Sequence, residues 1–177
     1  MQPDFKATHF ALLGLPEQFA IDMVALERAW HQLQASVHPD RFAHLGDAEK
    51  RASMQWSSRV NEAWQTLRKP LDRAAYLLSL RGIDALAPSQ TSMAPMFLMQ
   101  QMEWREALDN ARGQRNSHEL QRLEQEIRQS SATWLAQLER QLDQDHDDAA
   151  AATTLRQLKF VEKLRAEIDN AWIELES

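Results

Sequence analysis

The 177-residue chain contains no cysteine. Disulfides, thiol catalysis, iron–sulfur ligation by the chain and zinc sites built on thiolates are therefore excluded. Glycine numbers only 4, so a phosphate-cradling loop with several glycines in one turn has nowhere to sit. No stretch reaches the roughly 18 uninterrupted apolar residues of a membrane span. The start, Met1-Gln2-Pro3-Asp4-Phe5-Lys6, lacks the basic stretch and apolar run of a secretory signal. A soluble, cytoplasmic protein is expected. Positive charge is in deficit, with Lys+Arg 20 against Asp+Glu 26 and a net charge of −6. That balance argues against nucleic acid or an anionic membrane as the main partner.

Hydrophobic residues make up 44% of the chain, enough for a packed core. They recur at helical spacing almost throughout, and clean period-two runs are absent, so the fold class is all-α. A short first helix is expected over about Thr8–Leu13, capped by Thr8 and stopped by Gly14-Leu15-Pro16. A second begins after Asp22, with Leu26, Ala29, Trp30, Leu33 and Val37 as its inward stripe. Pro39 ends it and leaves His38 at or just beyond the helix end. A third runs from about Ala48, capped by Asp47, to Lys69, with Ala52, Trp56, Val60, Ala63, Trp64 and Leu67 facing inward. Two long amphipathic helices joined by about ten residues make an antiparallel hairpin. Pro70 suits the first turn of a fourth helix over Leu71–Arg81, with Gly82 just past its end.

Residues 83–95 carry Pro88, Ser89, Thr91, Ser92 and Pro95 with little periodicity and read as a linker. This gives a first domain at 1–82 and a second at 96–177. Residues 1–84 hold 10 basic and 10 acidic residues; the rest hold 10 and 16, so the whole −6 lies in the second part. That part reads as a three-helix bundle over about Met96–Arg112, Ser117–Asp143 and Asp148–Leu175. Asn116 and Glu119 have capping-box spacing, and Leu120, Leu123, Ile127, Trp134, Leu138 and Leu142 form a sustained seam.

The tripeptide His38-Pro39-Asp40 lies between the two long helices. Proline stiffens the turn and lowers the entropy lost on docking. Asp40 can accept hydrogen bonds from a partner's arginine, and His38 can both donate and accept. The residues alone also allow a plain hairpin turn in which His38 neutralises a helix C-terminal dipole. The region Thr8 to about Leu67 resembles the J domain of DnaK-type co-chaperones. The resemblance rests on the short first helix, Val37-His38-Pro39-Asp40-Arg41-Phe42, and Val60-Asn61-Glu62-Ala63-Trp64. J domains commonly carry Tyr at the position of Val37 and Lys at that of Arg41. The resemblance implies that His38, Pro39, Asp40 and Arg41 engage an ATP-bound DnaK-type chaperone and trigger its ATP hydrolysis. Arg28 and His31 stand where J domains present a basic stripe, which is thin here. Arg28 reads equally well as a solvated surface charge.

On the Met96–Arg112 helix, Phe97, Trp104, Leu108 and Ala111 share one side and suffice for packing. Leu98, Met99 and Met102 lie on the other, among Glu103, Glu106 and Asn110. An apolar patch flanked by carboxylates is the pattern of a binding surface, and methionines adapt to an irregular partner. The alternative is that the first domain or the linker covers it. Phe160 falls on the shoulder of the last helix's buried stripe and reads as core or as an extension of the patch.

A J-like domain followed by a helical bundle resembles the HscB family, co-chaperones of iron–sulfur cluster assembly. The matching stretches are Ala63-Trp64-Gln65-Thr66-Leu67-Arg68, Ala75-Tyr76-Leu77-Leu78-Ser79-Leu80, Phe97-Leu98-Met99, Arg105-Glu106 and Phe160-Val161-Glu162-Lys163-Leu164-Arg165. The resemblance implies that the bundle binds the cluster scaffold IscU through Leu98, Met99, Met102, Glu103, Glu106 and Phe160. It further implies delivery of that scaffold to the chaperone HscA, whose ATPase the J domain stimulates. Asn110 stands where the family can carry an acidic residue. No cofactor and no catalytic role are expected, and a monomer is expected. The competing readings are a general J-domain co-chaperone for another client and a helical interaction module without a chaperone partner.

Three further signals are set aside. Asp143, Asp145, Asp147 and Asp148 alternate like a calcium loop, but the sixth and twelfth positions hold Asp148 and Thr154 where such a loop needs Gly and Glu. His31, His38 and His44 match no metal-site spacing. The Glu103–Glu106 pair lacks the Glu-x-x-His pattern of carboxylate-bridged metal sites.

Overall fold

Thr8 opens the first helix by turning its side chain back to accept from the Ala11 amide at 3.2 Å. The computed structural model describes residues 6–37, 46–87 and 93–176. Among these residues there are seven α-helices and no strand, as the helical periodicity predicts. The chain divides into two units, Met1–Arg81 and Gly82–Ser177.

In the first unit, α1 (His9–Leu12) is pinned by its own two aromatic side chains. The Phe10 side chain is fully buried. The His9 ring stacks on Tyr76 at 4.3 Å, and the His9 amide donates to the Tyr76 hydroxyl at 3.0 Å. Helix α2 (Met23–Val37) starts where Asp22 Oδ1 accepts from the amides of Val24 and Ala25, at 2.8 and 3.1 Å. Helix α3 (Asp47–Arg68) pairs with it. Trp30 stacks on Trp64 at 4.5 Å, and its indole N–H donates to Asn61 Oδ1 at 3.0 Å. Helix α4 (Pro70–Leu80) has Pro70 in its first turn, where a missing N–H costs nothing. Gly82 follows with φ +83°, the left-handed geometry that favours glycine at a helix end.

Two details depart from the sequence expectation. Gly46, not Asp47, caps α3, and Asp47 is its first helical residue; there its carboxylate still complements the helix dipole. Ser53 is buried in place of Ala52, because its hydroxyl donates to the Val37 carbonyl at 2.7 Å and so ties the end of α2 to α3. A stripe drawn by hydrophobicity cannot anticipate a buried serine that has found its partner.

The second unit contains α5 (Pro95–Gly113), α6 (Ser117–Asp143) and α7 (Asp148–Glu176). Short turns reverse the chain twice. Asn116 Oδ1 accepts from the Glu119 amide at 3.1 Å, the cap expected from the spacing. Gly113 is the last residue of α5, and the left-handed residue in the turn that follows is Arg115 at φ +49°. Its guanidinium donates to the Leu175 carbonyl at 3.0 Å, which holds the end of α7 beside that turn. Asp147 Oδ1 accepts from the Ala150 amide at 3.0 Å and caps α7. Leu120, Leu123, Ile127, Val161, Leu164 and Ile168 form the core with Phe97, Trp104 and Leu108 of α5. Each fully buried aliphatic side chain here stabilises the fold by about 1.5–3 kcal/mol.

Candidate functional site

Helix α5 has several large apolar side chains to spare. Phe97, Trp104, Leu108 and Ala111 are at most 5% exposed and satisfy its contact with α6 and α7. The Trp104 indole N–H donates to Glu126 Oε1 at 2.7 Å and fixes the rotation of α5 against α6. At about 100° per residue, Met99 and Met102 then fall opposite that buried stripe. They are 62% and 72% exposed, and Leu98, on the shoulder, is 46% exposed. Glu103, Glu106 and Asn110 are exposed on the same helix. Large apolar side chains left in water beside carboxylates define a surface that gains by being covered.

Phe160 is half-buried and packs against the core of the second unit. Its ring meets Phe97 edge-on at 5.8 Å and 85°, and the Arg105 guanidinium lies over it at 5.5 Å. Arg105 also pairs with Glu167 at 3.3 Å. Phe160 thus both belongs to the packing and flanks the α5 face on the side that Leu98 and Arg105 share.

Periodicity did not single out three features. Met96 is 82% exposed in the first turn of α5 and extends the apolar face. Its position next to a proline-rich stretch hides it from a stripe analysis. Arg105 fixes Phe160, a contact between helices 55 residues apart in sequence. A cleft of about 440 Å³ lies in the first unit, lined by Met23, Leu26, Glu27, Trp64, Arg68, Lys69 and Pro70.

In the first unit, Arg28 and His31 lie one turn apart on α2, and both are exposed. The His31 ring leans on Trp30 at 4.5 Å and faces Glu27 at 4.0 Å. His38, Pro39, Asp40 and Arg41 lie outside the described residues. The helix ends that precede and follow that segment are described, and Val37 is held by Ser53. His9 carries a shifted pKa. Burial pushes its imidazole below the usual range, the Glu62 carboxylate partly opposes this, and Arg59 adds to it. Among the described residues no three His, Asp or Glu side chains are placed to hold a metal ion, and no helix is long and apolar enough to cross a membrane.

The arrangement has counterparts among solved structures. The chaperone HscB from Vibrio cholerae is 37% identical, with a TM-score of 0.83 over 96% of this chain and 99% of that one. The human co-chaperone protein HscB is 28% identical, with a TM-score of 0.88 over 94% of this chain and 83% of that one. The fold is that of a J-domain co-chaperone with a helical second domain. Co-chaperone protein HscB homologues of Aromatoleum aromaticum and an Azoarcus species are 52% and 53% identical, each over the full length of both chains. A family model described as the HSCB C-terminal oligomerisation domain matches residues 93–169. The chain belongs to the HscB family of co-chaperones.

Proposed function

We propose that this protein is the adaptor that brings an iron–sulfur cluster scaffold of the IscU type to a DnaK-type chaperone of the HscA type and stimulates ATP hydrolysis there. The observation that carries the reading is the exposed face of α5. Leu98, Met99 and Met102 are surplus to packing, and they are the positions that the family resemblance gives to scaffold binding. Glu103 and Glu106 frame this face with negative charge, which favours a basic rim on the scaffold and sets orientation and on-rate more than affinity. Phe160, held by Phe97 and Arg105, supplies a rigid aromatic edge beside it. Methionine lets the same face follow an irregular partner.

In this reading His38, Pro39, Asp40 and Arg41 contact the chaperone, aided by Arg28 and His31 of α2. The chain itself catalyses nothing; the bond cleaved is in ATP held by the chaperone. Holding scaffold and chaperone on one chain raises the scaffold's effective concentration at its acceptor, by an amount the tether geometry sets. The cluster belongs to the scaffold.

The test is an ATPase assay with chaperone, scaffold and this protein in turn. Stimulation is expected from the intact protein and is lost with His38→Gln. Replacing Leu98, Met99 and Met102 by alanine is expected to abolish scaffold binding in calorimetry while scaffold-free stimulation persists. Equal stimulation by His38→Gln refutes the chaperone assignment, and unchanged scaffold affinity refutes the α5 assignment. The family model's description favours one rival occupant, a second copy of the chain. A concentration-dependent dimer in sedimentation, dissolved by the same alanine changes, would replace the scaffold on this face.

A further inference from the structure

Four of the 7 methionines fall within ten residues, at positions 93, 96, 99 and 102. Their environments differ sharply. Met93 is half-buried against the core, and its sulfur accepts from the Gln101 side chain at 3.4 Å. Met96, Met99 and Met102 are 82%, 62% and 72% exposed, each three residues from the next along α5. A core use of methionine, as flexible filler, explains only the first. An exposed thioether is open to two-electron oxidants such as hydrogen peroxide, whereas a buried one is shielded. The reaction transfers one oxygen atom to sulfur: the peroxide O–O bond breaks, an S=O bond forms, sulfur is oxidised, and water leaves. The product is a polar, chiral sulfoxide on what had been apolar contact surface.

We propose that Met99 and Met102, flanked by Met96, form a reversible oxidation site whose sulfoxides shut off docking on the α5 face. This rests on the scaffold reading above. The chemistry fits the position. A sulfoxide buried against an apolar partner without a hydrogen-bond donor loses about tenfold or more in affinity. Neighbouring Glu103 and Glu106 are acceptors only when ionised and offer the new oxygen no donor. The fold is spared, because Phe97, Trp104 and Leu108 hold α5 from its opposite side. Iron–sulfur clusters are themselves oxidant-sensitive cargo, so a face that closes under peroxide would halt delivery when delivery is wasteful. Met54, on α3 of the other unit and 63% exposed, is an internal reference of equal accessibility outside this face.

The experiment treats the full-length protein with graded hydrogen peroxide and removes the peroxide before scaffold is added. Peptide mass spectrometry then reads oxidation at each methionine, and calorimetry reads scaffold affinity. Oxidation is expected at Met54, Met96, Met99 and Met102 well before Met93. Affinity is expected to fall at least tenfold in step with Met99 and Met102, with circular dichroism unchanged. Incubation with the two methionine sulfoxide reductases, one for each epimer, is expected to restore affinity as those sulfoxides disappear. The Met54→Leu variant is expected to lose affinity as the parent does. Unchanged affinity after full oxidation of Met99 and Met102 overturns the proposal and leaves the scaffold reading standing, as does loss that follows unfolding or that reductase does not reverse. Absence of scaffold binding before any peroxide is added overturns both.

Discussion

Truncating Phe160 to alanine is expected to destabilise the second unit by about 2 kcal/mol. A fully buried Phe→Ala change costs about 3–5 kcal/mol, and Phe160 is only half-buried. Of that loss, about 0.5–1.5 kcal/mol belongs to the edge contact with Phe97 at 5.8 Å. About 0.5–1 kcal/mol more belongs to Arg105 above the ring. A double-mutant cycle with Phe97→Leu isolates the first part, since leucine keeps apolar bulk and removes the ring. The coupling is expected near 1 kcal/mol. Amide exchange of α7 around Leu158–Leu164, measured in the intact chain, reads opening of this unit without interference from the other. Additivity within about 0.3 kcal/mol would refute the ring contact. The result bears on function. If Phe160→Ala weakens scaffold binding but Phe160→Leu does not, the ring acts by supporting α5; if both weaken it equally, its edge is contact surface.

Two further outcomes are expected. His9 is held neutral by burial, with a folded pKa below its unfolded value of about 6.5. The folded state then binds fewer protons, so the stability of the first unit is full above about pH 6.5 and is lost as pH falls through the folded value. His9→Phe, which retains the ring stack on Tyr76, is expected to flatten that dependence in denaturant titrations between pH 7.5 and 5; parallel curves would refute it. Asn116→Ala removes the acceptor of the Glu119 amide and is expected to cost about 1 kcal/mol, with faster exchange confined to the first turn of α6. Asn116→Asp is expected to restore most of it, and protection unchanged by the alanine would argue against the cap.

The helices and their buried faces could be read from the sequence because periodicity reports the demand of a core for apolar side chains. Leu26, Val60, Leu67, Leu120, Ile127 and Leu138 all stand buried where spacing put them. What spacing could not supply is polar bonding between elements distant in sequence. Ser53 displaced Ala52 from the interior because the Val37 carbonyl needed a donor. Arg115 adopts a left-handed conformation in the turn after α5, while its guanidinium reaches the end of α7. Trp64 is only half-buried, and Arg68 covers its ring at 4.3 Å.

The α5 face shows the converse case, in which a failure of the core pattern is itself informative. Once Phe97, Trp104, Leu108 and Ala111 have filled the contact with α6 and α7, packing leaves Leu98, Met99 and Met102 unexplained. Each exposed side chain alone is ordinary, since apolar atoms cover much of any protein surface. Three on one helix face, framed by Glu103 and Glu106, are a different matter: they forgo the transfer free energy that polar residues at those positions would not forfeit. Such a face is what the proposed scaffold docking would cover. The same reasoning sets the limit on Phe160, whose contacts with Phe97 and Arg105 already account for an aromatic ring there. Packing therefore accounts for Phe160 and leaves Met99 and Met102 unaccounted for.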